Sequence, residues 1–244
     1  MERCFKVIFF TLLVLLFPAV FSLYSQVPSQ EDQLRIQLWT DIDDFPGIFD
    51  GFGDDVYTPS GRVSDFDESI FTPAIGRLKE MAPFLLNGML NGWSYDYVPY
   101  DKTRRVSEFF EMEELVPFNA QENPISWHSS SVQDGKLVVW AYCNRTEAQK
   151  AKLELWNSIV HPKVHGTGRG DVEDGFEGIK KAAENAVKNA VREYWRIYEK
   201  NKPKEILGSV LLTGTPRIYV EQGEYVVELD FFMETDKIIK YTQY

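Results

Sequence analysis

The chain has 244 residues, 44% hydrophobic and 14% aromatic, with a formal net charge of −11 at pH 7. The apolar content excludes a disordered polymer. The acidic excess speaks against phosphate backbones and anionic lipid surfaces, so no nucleic-acid partner is expected.

Residues 1–25 read as an export signal. Arg3 and Lys6 give a basic start, Val7 to Phe21 is an apolar run broken by Pro18, and Ser22 and Ser25 offer small residues for cleavage. The run is fifteen residues long, short of the roughly 20 needed to cross a bilayer. Cleavage is expected, with a periplasmic or secreted product and no stable membrane insertion. The next cysteine after the run is Cys143 rather than a lipidation site. Removing the signal leaves 219 residues and a formal charge of about −12. It also leaves one thiol, which closes no internal disulfide. Cys143 ends the apolar run Leu137 to Tyr142 and reads as a buried structural thiol.

Residues 26–120 form an N-terminal α+β unit. Leu34, Ile36 and Leu38 alternate with polar residues, giving a strand that ends near Trp39. The stretch 41–55 reads as a long loop in which aromatic residues interleave with carboxylates. Such rings are unusual in a solvated loop and mark a docking surface. Asp43, Asp44, Phe49, Phe52, Asp54 and Asp55 are its candidate contacts with a ligand or partner. Its spacing lacks the regular acidic run and distal glutamate of a calcium loop. Thr72-Pro73 predicts a helix start with Thr72 as cap. That helix should reach about Leu90, kink at Pro83 and end at Asn91-Gly92. Trp93, Tyr95 and Tyr97 then alternate with Ser94 and Asp96 in a strand paired with Phe109 to Leu115.

Residues 121–244 form a C-terminal α+β unit. Asp134-Gly135 predicts a hairpin between strands 125–131 and 136–142. A helix is expected over 146–159, a loop over 161–174, and a long amphipathic helix over 179–197 whose alanines allow close approach to a sheet. Strands follow over 206–212, 217–220 and 225–231. The predicted class is α+β, with antiparallel sheets packed against long amphipathic helices in two helix-plus-hairpin units.

One stretch carries a family likeness. Ala182, Ala183, Ala186, Ala190, Val191 and Arg192 on a helix, Gly208 opening a strand, and the run Gly223 to Leu229 resemble the helix-and-hairpin domain of FlgT-like flagellar assembly proteins and related small outer-membrane lipoproteins. The resemblance covers residues 176–232, and the chain departs from those lipoproteins by lacking their cysteine. It implies a non-enzymatic envelope or appendage-associated role and transfers no catalytic residue.

Three constellations invite chemistry. His161 and His165 are four apart, as in some metal sites, but Pro162 and the glycines that follow favour a loop. Gly166-Thr167-Gly168-Arg169-Gly170 precedes a helix as a phosphate loop would. It lacks the Lys-Ser/Thr ending, and Asp171, Glu173 and Asp174 oppose a bound anion. A surface loop with Arg169 at its tip, touching a partner, is expected instead. Trp93 and Asp96, with Tyr95, Tyr97 and Tyr100, could face a sugar, but half of an alternating strand normally faces the core, and that reading is favoured. No cofactor and no catalytic residue is predicted. The expected function is a non-enzymatic exported protein that binds envelope proteins, with cell-wall glycan binding or cleavage as the alternative and a metal-dependent hydrolase as the second.

Overall fold

Burial of Leu34, Ile36 and Leu38 on one side produces the strand β1 (Gln33–Asp41), as the alternation predicts. The computed structural model describes residues 31–42, 61–62, 71–158 and 160–241. The expected signal and the loop from Asp43 onward lie outside these. After β2 (Gly61–Arg62) comes α1 (Thr72–Leu90). Its N-cap is Phe71 and no side chain caps it, so the expected Thr72 cap is displaced by one residue. The fully buried Phe71 ring anchors the entry instead of a hydroxyl. Met81, Ala82 and everything from Phe84 to Leu90 are buried. A helix segment buried on all sides needs neighbours on all sides. α1 finds them in both sheets described below.

Gly92 has φ +83°, and a Cβ there would sit 2.4 Å from the Val210 carbonyl oxygen. The turn and the close approach together demand glycine. It leads into β3 (Trp93–Val98), which pairs antiparallel with β4 (Phe109–Glu114). The Asp101 carboxylate accepts the N–H groups of Thr103 (2.9 Å) and Arg104 (3.1 Å) to close the link. β5 (Ile125–Gln133) and β6 (Lys136–Asn144) form the predicted hairpin, with Asp134 and Gly135 both at positive φ. α2 (Glu147–Trp156) opens on a capping box between Thr146 and Gln149 and ends short of the expected Ile159.

The expected loop 161–174 is corrected by β7 (Lys163–Asp171), a regular strand. Its glycines serve packing rather than mobility. They face α3 (Phe176–Tyr198) so closely that a Cβ at Gly166, Gly168 or Gly170 would lie 2.2, 2.1 or 2.0 Å from the carbonyl oxygens of Ala186, Ala182 and Gly178. That contact leaves no space for a phosphate on this side of the glycine run. Asn185 Nδ2 donates to Arg169 O (2.9 Å) and Asn189 Nδ2 to Thr167 O (3.0 Å). Ile197, placed by its spacing on the apolar face, is 74% exposed at the helix end.

β8 (Glu205–Leu212), β9 (Arg217–Glu221) and β10 (Glu224–Ile239) complete the chain. β10 runs well beyond the expected 225–231. One side pairs with β7 as far as Phe232, and the other pairs first with β9 and then with β8, so Ile238 and Ile239 lie opposite Ile206 and Glu205 of β8. The sheets are β1-β6-β5-β2 and β4-β3-β8-β10-β7 with β9 on β10, and the strand pairings among the described residues are all antiparallel. The fold is α+β. α1 touches β1 and β6 of the smaller sheet and β8 of the larger, while α3 covers β7 and β10. The two helix-led strands, β3 and β8, pair with each other. Each sheet draws strands from both sides of residue 120, and Glu31–Tyr244 cluster as one unit. Among the described residues no helix is long and apolar enough to cross a membrane.

Candidate functional site

The aromatic row of β3 faces inward. Trp93 is 1% exposed and stacks on Phe84 with ring centroids 4.8 Å apart. Tyr95 and Tyr97 are buried beside it. Burial pushes the Tyr95 phenol up to about 12 against the opposing hydrogen bond to Thr235. Burial also raises Tyr97, which donates to Glu108 Oε1 at 3.0 Å. These rings belong to the core, the reading that alternation favours over sugar contact, and only Tyr100 of that group is exposed. Asp96 alternates to the other face, where partial burial raises its pKa, helped by Glu205 and Glu111.

His161, His165 and Arg169 lie on or beside β7 with separate partners. His165 Nδ1 is 3.1 Å from Asp230 Oδ1, whereas His161 Nε2 is 3.8 Å from Glu234 and its ring lies 4.7 Å from that of Trp156. Arg169 bridges Glu221 and Glu224 within the strand layer, not at a loop tip. Among the described residues no group of three or more His, Cys, Asp or Glu is placed to hold a metal. Asp43, Asp44, Phe49, Phe52, Asp54 and Asp55 lie outside the described residues.

A polar cluster closes the end of α1. Asn87 Oδ1 accepts from Asn91 Nδ2 (2.7 Å), and Gln149 Nε2 links Asn91 (3.4 Å) to Asn123 (3.0 Å). Arg145 Nη2 donates to Met89 O (3.1 Å) and Lys152 Nζ to Asn91 O (2.7 Å). Burial lowers both cations' pKa values. Cys143 borders this cluster, its thiol pushed up to about 11 by burial, which makes it a poor nucleophile. These contacts tie the end of α1 to the end of β6 and to α2 and serve the fold.

The outer face of the smaller sheet differs. Register places Arg35 opposite Tyr142, Gln37 opposite Trp140 and Trp39 opposite Val138. The Arg35 guanidinium lies 3.9 Å from the Trp140 ring centroid and 5.9 Å from that of Tyr142. Lys136 Nζ lies 3.6 Å from the Trp39 ring and 3.2 Å from Asp41 Oδ1. His128 meets Tyr142 edge to face at 5.0 Å, and Trp39 Nε1 donates to Ile218 O at 2.8 Å. The rings are half-buried while Arg35 is exposed. Among the described residues no ion pair or hydrogen bond occupies its guanidinium. Sequence reading missed this face because it exists only once β1 pairs with a strand about 100 residues away. The available signal was Trp140 and Tyr142 alternating with the buried Val139 and Ala141. On the sheet's other side, a groove of about 200 Å³ is lined by Ile75, Leu78, Trp127, Leu137 and Val139.

A protein-family model matches residues 21–241. The chain is 26% identical over 211 residues to an uncharacterized protein of Treponema pallidum (strain Nichols), covering 86% of this chain and 83% of that one. It is also 28% identical over 131 residues to an L-lactate dehydrogenase of Pediococcus acidilactici, covering 50% of this chain and 38% of that enzyme. No solved structure matches.

Proposed function

The chain belongs to the family whose model matches residues 21–241, and from that premise we propose a non-catalytic, exported protein that binds a component of the cell envelope. The binding surface is the outer face of the four-stranded sheet. One observation carries this reading: cations stacked on half-buried aromatic rings across β1 and β6, with Arg35 exposed and free of a carboxylate partner among the described residues. Such a face offers directional polar contacts over a rigid base. The basic start and apolar run of residues 1–25 support export.

Mild crosslinking in the native envelope, followed by identification of the attached material, tests the proposal. Arg35→Gln with Trp140→Phe should lose most of the attachment while keeping a native circular dichroism spectrum. Unchanged recovery of the same material would remove this face from the function.

A further inference from the structure

We propose that this face recognises an acidic glycan, with Arg35 as the residue that holds its carboxylate; the inference rests on the binding face proposed above. A guanidinium held 3.9 Å from an indole ring centroid, with no ion pair or hydrogen bond among the described residues, retains N–H donors that match a carboxylate in a two-bond fork. The two rings beside it hold the cation in place before a ligand arrives, which reduces the entropy lost on binding.

The rest of the face fits a sugar. Gln37 flanks Trp140 across the strand pair, Gln33 and Asn144 bond each other at 2.8 Å, and Gln133 donates to Ser131 at 3.1 Å. These amides and hydroxyls retain further donors and acceptors for sugar hydroxyls. Val138 is the one aliphatic side chain facing out from β6, so what surrounds the rings on that strand is polar. Charge agrees. In a chain of net −11, the outward side chains of β1 and β6 carry Arg35 and Lys136 against the single carboxylate Asp41, and Lys136 is already paired to it. What remains is a cation over rings, complementary to an anion borne on a flat polar scaffold.

The experiment uses the protein as the cell exports it and the polysaccharide fraction of that cell's envelope. The fraction is tested untreated and with its carboxyls reduced to alcohols, binding being measured by calorimetry. Binding to the untreated fraction that falls roughly tenfold or more on carboxyl reduction, and equally in Arg35→Gln, is expected. Arg35→Lys keeps the charge but loses the fork and should recover only part of the affinity. Arg169→Gln, on the other sheet, should bind as the wild type. Equal affinity for both fractions, no binding to either, or indifference to Arg35 would overturn the glycan assignment. If envelope attachment still requires Arg35 and Trp140 but only protein is recovered, the glycan assignment falls and the binding face stands. If attachment ignores both residues, both readings fall.

Discussion

The two long helices solve the same packing problem in opposite ways. α1 lies between two sheets and fills both sides with large side chains, Phe84, Leu85, Leu86 and Leu90 among them. Enclosed this way, its end must be satisfied internally, so the 0% exposed Asn87 and the Arg145 and Lys152 cations complete its last turn. Positive charge there also complements the negative end of the helix dipole. α3 covers one face only. Its inner stripe is Ala182, Ala183, Ala186 and Ala190, and its outer side carries pairs such as Lys181–Glu184. A one-sided helix can exchange side-chain volume for backbone proximity, and a two-sided helix cannot.

Substitutions should separate the two solutions. The largest effect is expected at Gly168→Val, since the new Cβ would meet Ala182 O at 2.1 Å and Ala186 N at 2.2 Å, both backbone atoms. Such overpacking should cost about 3 kcal/mol or more in urea denaturation, and a loss under about 1 kcal/mol would break the account of α3. Asn87→Ala comes next. It takes the partner from the buried Asn91 amide and from the Val116 carbonyl and should cost about 2 kcal/mol. Gly76→Ala sharpens the contrast by reversing the sign. Nothing lies within 4 Å of its Cβ position in the first turns of α1, so thermal unfolding should show a gain of about 0.5–1 kcal/mol.

The smallest effect belongs to Asp96, which pairs with Leu207 where the two helix-led strands meet. Its folded-state pKa is raised by burial and by Glu205 and Glu111. The folded protein therefore binds this proton more readily than the unfolded chain. Its ionisation costs stability above the raised pKa, and the cost disappears as pH falls toward the ordinary carboxylate range. Asp96→Asn should add a few tenths of a kcal/mol at neutral pH and flatten that part of the pH profile. Urea midpoints from pH 4 to pH 7 would show whether the profile flattens.

What could be read in advance follows from the range of each interaction. β1, the Asp134-Gly135 hairpin and α3 are written in local alternation and three- to four-residue spacing, and all appear. The α+β class follows from them. β7 was misread because glycine lowers strand propensity, and only the presence of α3 against it makes the absent side chains favourable. Trp93 presented the converse ambiguity. Alternation shows that it faces away from Asp96, but which side is the core depends on α1. The outer aromatic face needed the β1–β6 register, a long-range pairing no local pattern encodes.

The contact between β7 and α3 also works as a gauge of length. Strand residues 170, 168 and 166 meet helix residues 178, 182 and 186, two steps along the strand for every four along the helix. Two antiparallel strand residues span about 6.8 Å and four helical residues about 6.0 Å. The teeth therefore mesh over three contacts before the mismatch grows to the width of an atom. Sliding the strand by one residue would drive Thr167 or Arg169 into the helix backbone. Because β10 is paired to β7, and β8 to β10, this single meshing sets the alignment of the larger sheet as a keyed shaft sets the wheels mounted on it.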